Sequence, residues 1–199
     1  MKYFSTVVLT AAAVFAQAPS EIPKANLKPG LYAVFDTSEG VITAQLYEKY
    51  TPETVKTFVA LAQGTRPWFD PTTKKMVRRP LYNGIDFHRI VREEMIQAGD
   101  PTGTGTHNCG VSVKDEFLPG LRFDRPGRLG MANTGQPDSG GCQFFITDQA
   151  LPLWNGKYTV FGQVVSGQEV EAKINRMPLR GDRPIDKIRL NSVIIRRIR

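Results

Sequence analysis

Histidine and cysteine are scarce: the 199-residue chain carries two of each. His88 and His107 lack the paired spacing of a zinc site, so metal-dependent chemistry is not expected. No glycine-rich phosphate loop is present, and no glycine fingerprint joins a strand to a helix. No serine stands in a nucleophile elbow. Gly103-Thr-Gly-Thr106 is too short to be more than a weak phosphate signal and reads as a flexible turn. Beyond the N-terminus there is no second long apolar run, and no repeat, coiled coil or linker divides the chain. These absences point away from nucleotide-, metal- and cofactor-dependent enzymes, and no cofactor is expected.

The chain is 41% hydrophobic and 23% charged, ordinary values for one globular domain with a sizeable core. Its 18 glycines and 14 prolines imply many turns and short elements, as in β-rich folds. The formal charge is +7. The basic residues are dispersed, however, and the dense runs are Lys74-Lys75 with Arg78-Arg79, and Arg196-Arg197 with Arg199. Neither run alternates with aromatic residues as single-strand binders do, so a solvated basic face is expected rather than a nucleic-acid partner.

Lys2, the apolar run Val7–Ala16 and the small residues after it read as a signal peptide over 1–16. Cleavage after Ala18 is the alternative, disfavoured by Pro19. The run is short for a membrane span, so no stable anchor is expected; an uncleaved anchor is the competing reading. Residues 17–30 read as a polar leader and 31–199 as the folded domain. The expectation is an exported protein, periplasmic or otherwise extracytoplasmic, acting as a monomer.

Leu31–Phe35 and Val41–Tyr47 read as two strands joined by the turn Asp36–Gly40. Thr51-Pro52-Glu53 opens a helix, with Thr51 as the cap. Val55, Phe58, Val59 and Ala62 form its apolar face, and Gly64 ends it. Residues 65–80 read as a surface excursion. A second helix is expected from Gln168 to about Arg176, and a closing strand over Ile188–Ile198.

Four segments carry the chemistry: Phe87–Asp100, Met131-Ala-Asn133, Gln143-Phe-Phe-Ile146 and Asn155–Gly162. In this order they resemble the cyclophilins, and the resemblance runs from about Leu31 to the C-terminus. It implies a mainly β fold, a closed eight-stranded antiparallel barrel capped by two helices, with a groove on its outside. It implies peptidyl-prolyl cis–trans isomerase activity on proline-containing extended or unfolded polypeptides. By resemblance Arg89 is the catalytic arginine and Gln97 lies beside it. Met95, Ala132 and Phe145 line the proline pocket. Asn133 offers backbone contacts to an extended peptide, and Gln143 with the Gly103–Thr106 turn flanks the site for the residue before proline. Tyr158 stands where many relatives carry histidine.

The residues fit that chemistry on their own terms. Prolyl rotation breaks no σ-bond and needs neither nucleophile nor metal; its barrier is amide resonance, about 18–20 kcal/mol. A permanently charged guanidinium can donate to the prolyl nitrogen as it pyramidalises. Phe144 and Phe145, adjacent in a strand, must face opposite sides, one to the core and one to a groove.

The sequence also departs from the family pattern. Glu94 stands where relatives place a pocket phenylalanine; it would pair with Arg89 or turn to solvent. Leu153 stands where many eukaryotic relatives carry a tryptophan, and Trp154 is the next residue. His107-Asn-Cys-Gly110 replaces a more glycine-rich loop. These departures leave open an alternative reading, a peptide-binding or chaperone-like module with weak isomerase activity. Cys109 and Cys142 admit two readings, a disulfide favoured by export or two buried thiols.

Overall fold

The computed structural model describes residues 27–199. The expected signal peptide and residues 17–26 of the leader lie outside the described residues. Strands β1 (Gly30–Thr37) and β2 (Gly40–Leu46) form the expected hairpin, Leu31 opposite Leu46 and Thr37 opposite Gly40. Helix α1 spans Pro52–Gln63, with Pro52 in its first turn and Gly64 at its C-terminal end in the left-handed conformation, φ 71°. The expected Thr51 cap is not made: the Thr51 hydroxyl donates back to the Tyr47 carbonyl and accepts no N–H of the first turn. The Glu116 carboxylate takes that role from a distant loop, accepting the Glu53 and Thr54 N–H groups at 3.1 and 2.9 Å. It supplies both the missing acceptor and a negative charge at the helix's positive end.

The excursion at 65–80 holds a small hairpin, β3 (Trp68–Asp70) and β4 (Lys75–Val77). It is less superficial than expected: Trp68 is fully buried, its indole N–H donating to the Arg79 carbonyl. Then come β5 (Ile85–Asp86), β6 (Arg89–Val91), β7 (Met95–Ala98), β8 (Arg128–Met131) and β9 (Phe144–Thr147). A single 3₁₀ turn, Pro152–Trp154, precedes β10 (Val160–Ser166) and helix α2 (Gln168–Asn175). The chain ends with the hairpin β11 (Leu179–Arg180) and β12 (Arg183–Pro184), then β13 (Arg189–Ile198).

Nine strands pair antiparallel in the order β5-β13-β1-β2-β10-β8-β9-β7-β6, a curled sheet with α1 packed against β13 and α2 against β2 and β7. The fold is thus mainly β with two helices, as expected, but the ladder is an open order of nine strands rather than a closed one of eight. The reason is local. The strands at the two ends of the order are separated in the chain by Phe87 and His88 alone. Phe87 N–H bonds to the Ile188 carbonyl on one side, and His88 N–H to the Gln97 carbonyl on the other. The backbone passes from one partner to the other between adjacent residues, so no single strand pairs on both sides.

Inside the curl, Phe35, Phe58, Tyr82, Phe144 and Phe161 are fully buried and pack ring on ring, with centroids 5.1–6.1 Å apart. A second, smaller apolar cluster of Met95, Phe123, Phe145 and Val160 lies apart from this core. Phe144 belongs to the first cluster and Phe145 to the second, the division that alternation along a strand requires.

Candidate active site

Two members of the second cluster, Met95 and Phe145, line a cavity of about 410 Å³. Its walls come from β6, β7, β8–β9 and two loops. Arg89, Val91, Glu94, Met95 and Gln97 enter from the β6–β7 hairpin. Ala132, Asn133 and Phe145 close another side, and Trp154 and Tyr158 a third. Thr104, Gly105 and Thr106 form the remaining rim. An adjoining cavity of about 100 Å³ is lined by Gln97, Gln143, Gly105 and Thr106.

The apolar end is built by rings meeting edge to face. Phe145 meets Trp154 at 5.2 Å and Tyr158 at 5.3 Å, with interplanar angles of 89° and 86°. Phe123 stacks behind Phe145 at 5.6 Å. Gly130, opposite Phe145 across β8–β9, makes this possible, because a Cβ there would run into the Phe145 ring. Such pairing holds the ring planes at fixed angles along the apolar end of the cavity.

The polar end is a directed chain of hydrogen bonds. Arg89 faces Gln97 across the β6–β7 register, and its Nη1 donates to Gln97 Oε1 at 3.3 Å. Gln97 Nε2 donates to Gln143 Oε1 at 2.8 Å. Gln143 Nε2 donates to the Gly105 and His107 carbonyls at 3.1 and 2.9 Å. One amide orientation at each glutamine satisfies every link, and bonds aligned head to tail polarise one another. Arg89 Nε is taken by Asp182 Oδ2 at 3.0 Å. Nη2 is left without an intramolecular partner among the described residues.

Asp100 organises the loop that ends this chain. Fully buried, its carboxylate accepts the Thr102, Gly105 and His107 N–H groups together with the Thr102 and Thr104 hydroxyls. Burial by itself would raise its pKa, but these hydrogen bonds outweigh burial and hold it below the ordinary carboxylate value. His88 lies beneath the same loop, against Gly105, with neither ring nitrogen partnered. Burial lowers its pKa, partly opposed by Asp100, so the imidazole packs beneath the loop in its neutral form. Cys109 and Cys142 are joined as a disulfide with a Cα–Cα distance of 6.3 Å, tying the loop to the segment that carries Gln143 into β9.

Of the expected site residues, Arg89, Glu94, Met95, Gln97, Ala132, Asn133, Phe145 and Tyr158 share the larger cavity, and Gln143 lines its neighbour. Asn133 spends its side chain internally, donating to the Lys157 carbonyl and accepting the Gly135 N–H, and it lines both cavities. Leu153 is a correction: it is 80% exposed and lines neither cavity. The 3₁₀ turn rotates Leu153 to solvent and brings Trp154 into the wall in its place. Glu94 is half-buried at the rim and makes no ion pair with Arg89, whose carboxylate partner is Asp182. Sequence reasoning missed Val91, Gly130 and Asp182. Nothing local in the sequence marks Asp182, which lies 93 residues from Arg89.

Comparison with known proteins gives one answer. Residues 32–195 match the family described as cyclophilin type peptidyl-prolyl cis-trans isomerase/CLD. The chain is 41% identical over 169 residues to the peptidyl-prolyl cis-trans isomerase B of Streptomyces anulatus, covering 83% of this chain and 96% of that protein. It is 41% identical over 166 residues to the peptidyl-prolyl cis-trans isomerase A of Mycobacterium tuberculosis, covering 82% and 91%. The crystal structure of a Cryptosporidium parvum cyclophilin type isomerase, in the presence of the dipeptide Ala-Pro, superposes with a TM-score of 0.72 at 31% identity, covering 83% of this chain and 98% of that one. With an apolar slot beside a held guanidinium, and with these relatives, the chain belongs to the cyclophilin-type peptidyl-prolyl cis–trans isomerases.

Proposed function

We propose that this enzyme accelerates rotation about Xaa-Pro bonds in extended segments of exported polypeptides, with Arg89 as the catalytic donor. The observation that carries the reading is the junction of the two halves of the cavity. The ring slot of Phe145, Met95, Trp154 and Tyr158 suits a proline ring, and Arg89 stands on the same cavity with Nη2 free. In this reading a proline held in the slot presents its amide nitrogen to the guanidinium on the same cavity.

The energetics divide between the two halves. A hydrogen bond from a charged donor contributes about 1.5–3 kcal/mol, one to two decades of rate at about 1.36 kcal/mol each. The remainder comes from gripping a twisted amide better than either planar isomer, against the rings of the slot. The Asn133 backbone and the Gly105 region hold the chain before the proline, so rotation moves one side of the bond against the other. Extended or unfolded segments are the proposed substrates, in keeping with a groove that is open to solvent.

Export is supported by the N-terminal sequence and by the disulfide, since such bonds persist in oxidising compartments. A monomer is in keeping with the self-contained core. The test is Arg89→Ala in a protease-coupled or NMR exchange assay on an Ala-Pro peptide. The expected result is a fall in kcat/KM of at least tenfold with an unchanged melting temperature. Unchanged kcat/KM in a folded variant would remove the mechanism.

A further inference from the structure

The cavity leaves one neighbour of Arg89 without a role. Asp182 sits at the tip of the β11–β12 hairpin, next to Gly181. The hairpin is attached to the site in two ways that do not involve the Asp182 side chain. Ile90 N–H in β6 donates to the Asp182 carbonyl at 2.7 Å. Arg183 donates from Nη1 and Nη2 to the Gly103 and Thr104 carbonyls at 2.9 and 2.8 Å. The backbone is therefore placed first, and the carboxylate is presented to Arg89 from a fixed base.

We propose that Asp182 is a positioning residue for Arg89, an inference that rests on reading Arg89 as the donor to the prolyl nitrogen. The geometry is that of a two-point clamp. Asp182 Oδ2 holds Nε at 3.0 Å and Gln97 Oε1 holds Nη1 at 3.3 Å. Two anchors on one planar group fix both its position and the direction of its plane. What remains is Nη2, the nitrogen the clamp leaves for the substrate. With Gln97 alone the guanidinium could swing about a single bond, and a half-exposed arginine has many rotamers to visit. Held in advance, the donor loses less freedom when the amide twists, and that gain is realised in the transition state.

The pair is not placed for stability. Both side chains are about half exposed, 45% and 54%, and such ion pairs contribute little to folding. Removing the carboxylate should leave the hairpin standing on its backbone bond and on Arg183.

The experiment compares wild type, Arg89→Ala, Asp182→Ala, Asp182→Asn and the double variant Arg89→Ala/Asp182→Ala on one Ala-Pro peptide, with melting temperatures alongside. Asp182→Ala should lower kcat/KM about tenfold, mostly in kcat, with KM within twofold and an unchanged melting temperature. Asp182→Asn still offers an oxygen to Nε and should recover to within threefold of wild type. In the Arg89→Ala background, Asp182→Ala should change nothing further. The ¹⁵N resonance of Arg89 Nε should be protected from solvent exchange in wild type and lose that protection in Asp182→Ala. If Arg89→Ala itself is as active as wild type, the catalytic reading fails. If Arg89→Ala is impaired while Asp182→Ala is as active as wild type or faster, the positioning role is overturned and the catalytic reading stands. An equal loss from Asp182→Ala in both backgrounds would likewise overturn it, since Asp182 would then act without Arg89.

Discussion

Glu171, in the first turn of α2, has no exposed surface, and its Oε1 meets no hydrogen-bond donor. Its Oε2 accepts from Gln168 Nε2 at 2.7 Å. Burial, and next the Asp148 carboxylate beside it, push its pKa from 4.5 up to about 9. A helix N-terminus ordinarily favours a carboxylate, but here burial wins. The side chain is therefore a neutral acid in the folded protein at pH 7 and an ionised one in the unfolded chain. Folding must take up a proton. The cost is nil below pH 4.5, grows by about 1.36 kcal/mol per pH unit above it, and levels off near pH 9. At pH 7 it amounts to about 3.4 kcal/mol, two and a half pH units above the unfolded value. That figure depends on the unfolded pKa and the pH, and hardly on the folded pKa once that exceeds about 8. Glu171→Gln keeps the shape, keeps an oxygen for Gln168 and offers an amide toward Asp148. It should stabilise the protein by about 3 kcal/mol at pH 7 and by almost nothing at pH 4.5. Urea denaturation at pH 4.5, 6 and 7 measures this directly, as a midpoint difference that widens with pH at constant slope. A stabilisation that does not change with pH, or a loss at pH 7, would refute the reasoning and show that Glu171 is ionised in the native state.

The remaining predictions concern the groove and the disulfide. Trp154→Ala should lower kcat/KM between about twofold and tenfold, the value of an edge-to-face aromatic pair of about 0.5–1.5 kcal/mol, whereas Leu153→Ala, at the exposed neighbour, should be silent. The isomerase assay on both variants checks the exchange of roles between these adjacent residues. Glu94→Phe should raise kcat/KM a few-fold on Ala-Pro and Gly-Pro peptides, because Glu94 lines the cavity without pairing to Arg89; equal or lower efficiency on both would mean that the rings of Trp154 and Tyr158 already complete the slot. Removing the disulfide by Cys109→Ser/Cys142→Ser should cost about 3.7 kcal/mol on the chain-entropy estimate for a loop of 33 residues, read by urea denaturation. Thiol titration of the native oxidised protein should find no free cysteine among the two.

How much of this was legible differs from element to element. The β1–β2 hairpin, α1, α2 and β13 fall within one or two residues of where their patterns place them. Local chemistry dictates these elements: alternation for strands, Pro52 and Gly64 at the ends of α1. The opposition of Phe144 and Phe145 follows from the strand period alone. The Arg89–Gln97 contact lies within one hairpin, eight residues apart, and needs only the right register. Other features were out of reach because their partners are remote. The α1 cap comes from Glu116 rather than Thr51, the more local candidate. Which of Leu153 and Trp154 lines the cavity was open in the sequence, because a single 3₁₀ turn chooses which of two apolar neighbours faces inward.

By itself the sequence determined the mainly β character from its turn and strand patterns, and the order of its motifs carried the family resemblance, which implied the roles of Arg89, Gln97, Gln143 and Phe145. Tertiary structure decided what those residues do to one another. It paired Asp182 with Arg89, ran the hydrogen bonds from Arg89 through Gln97 and Gln143 to the loop carbonyls, joined Cys109 to Cys142 and kept Glu171 neutral. The physical reason is the same in each case. A pattern along the chain specifies conformation within a few residues, whereas an ion pair, a relay of amides, a disulfide or a shifted pKa depends on groups that only folding brings within a few ångströms.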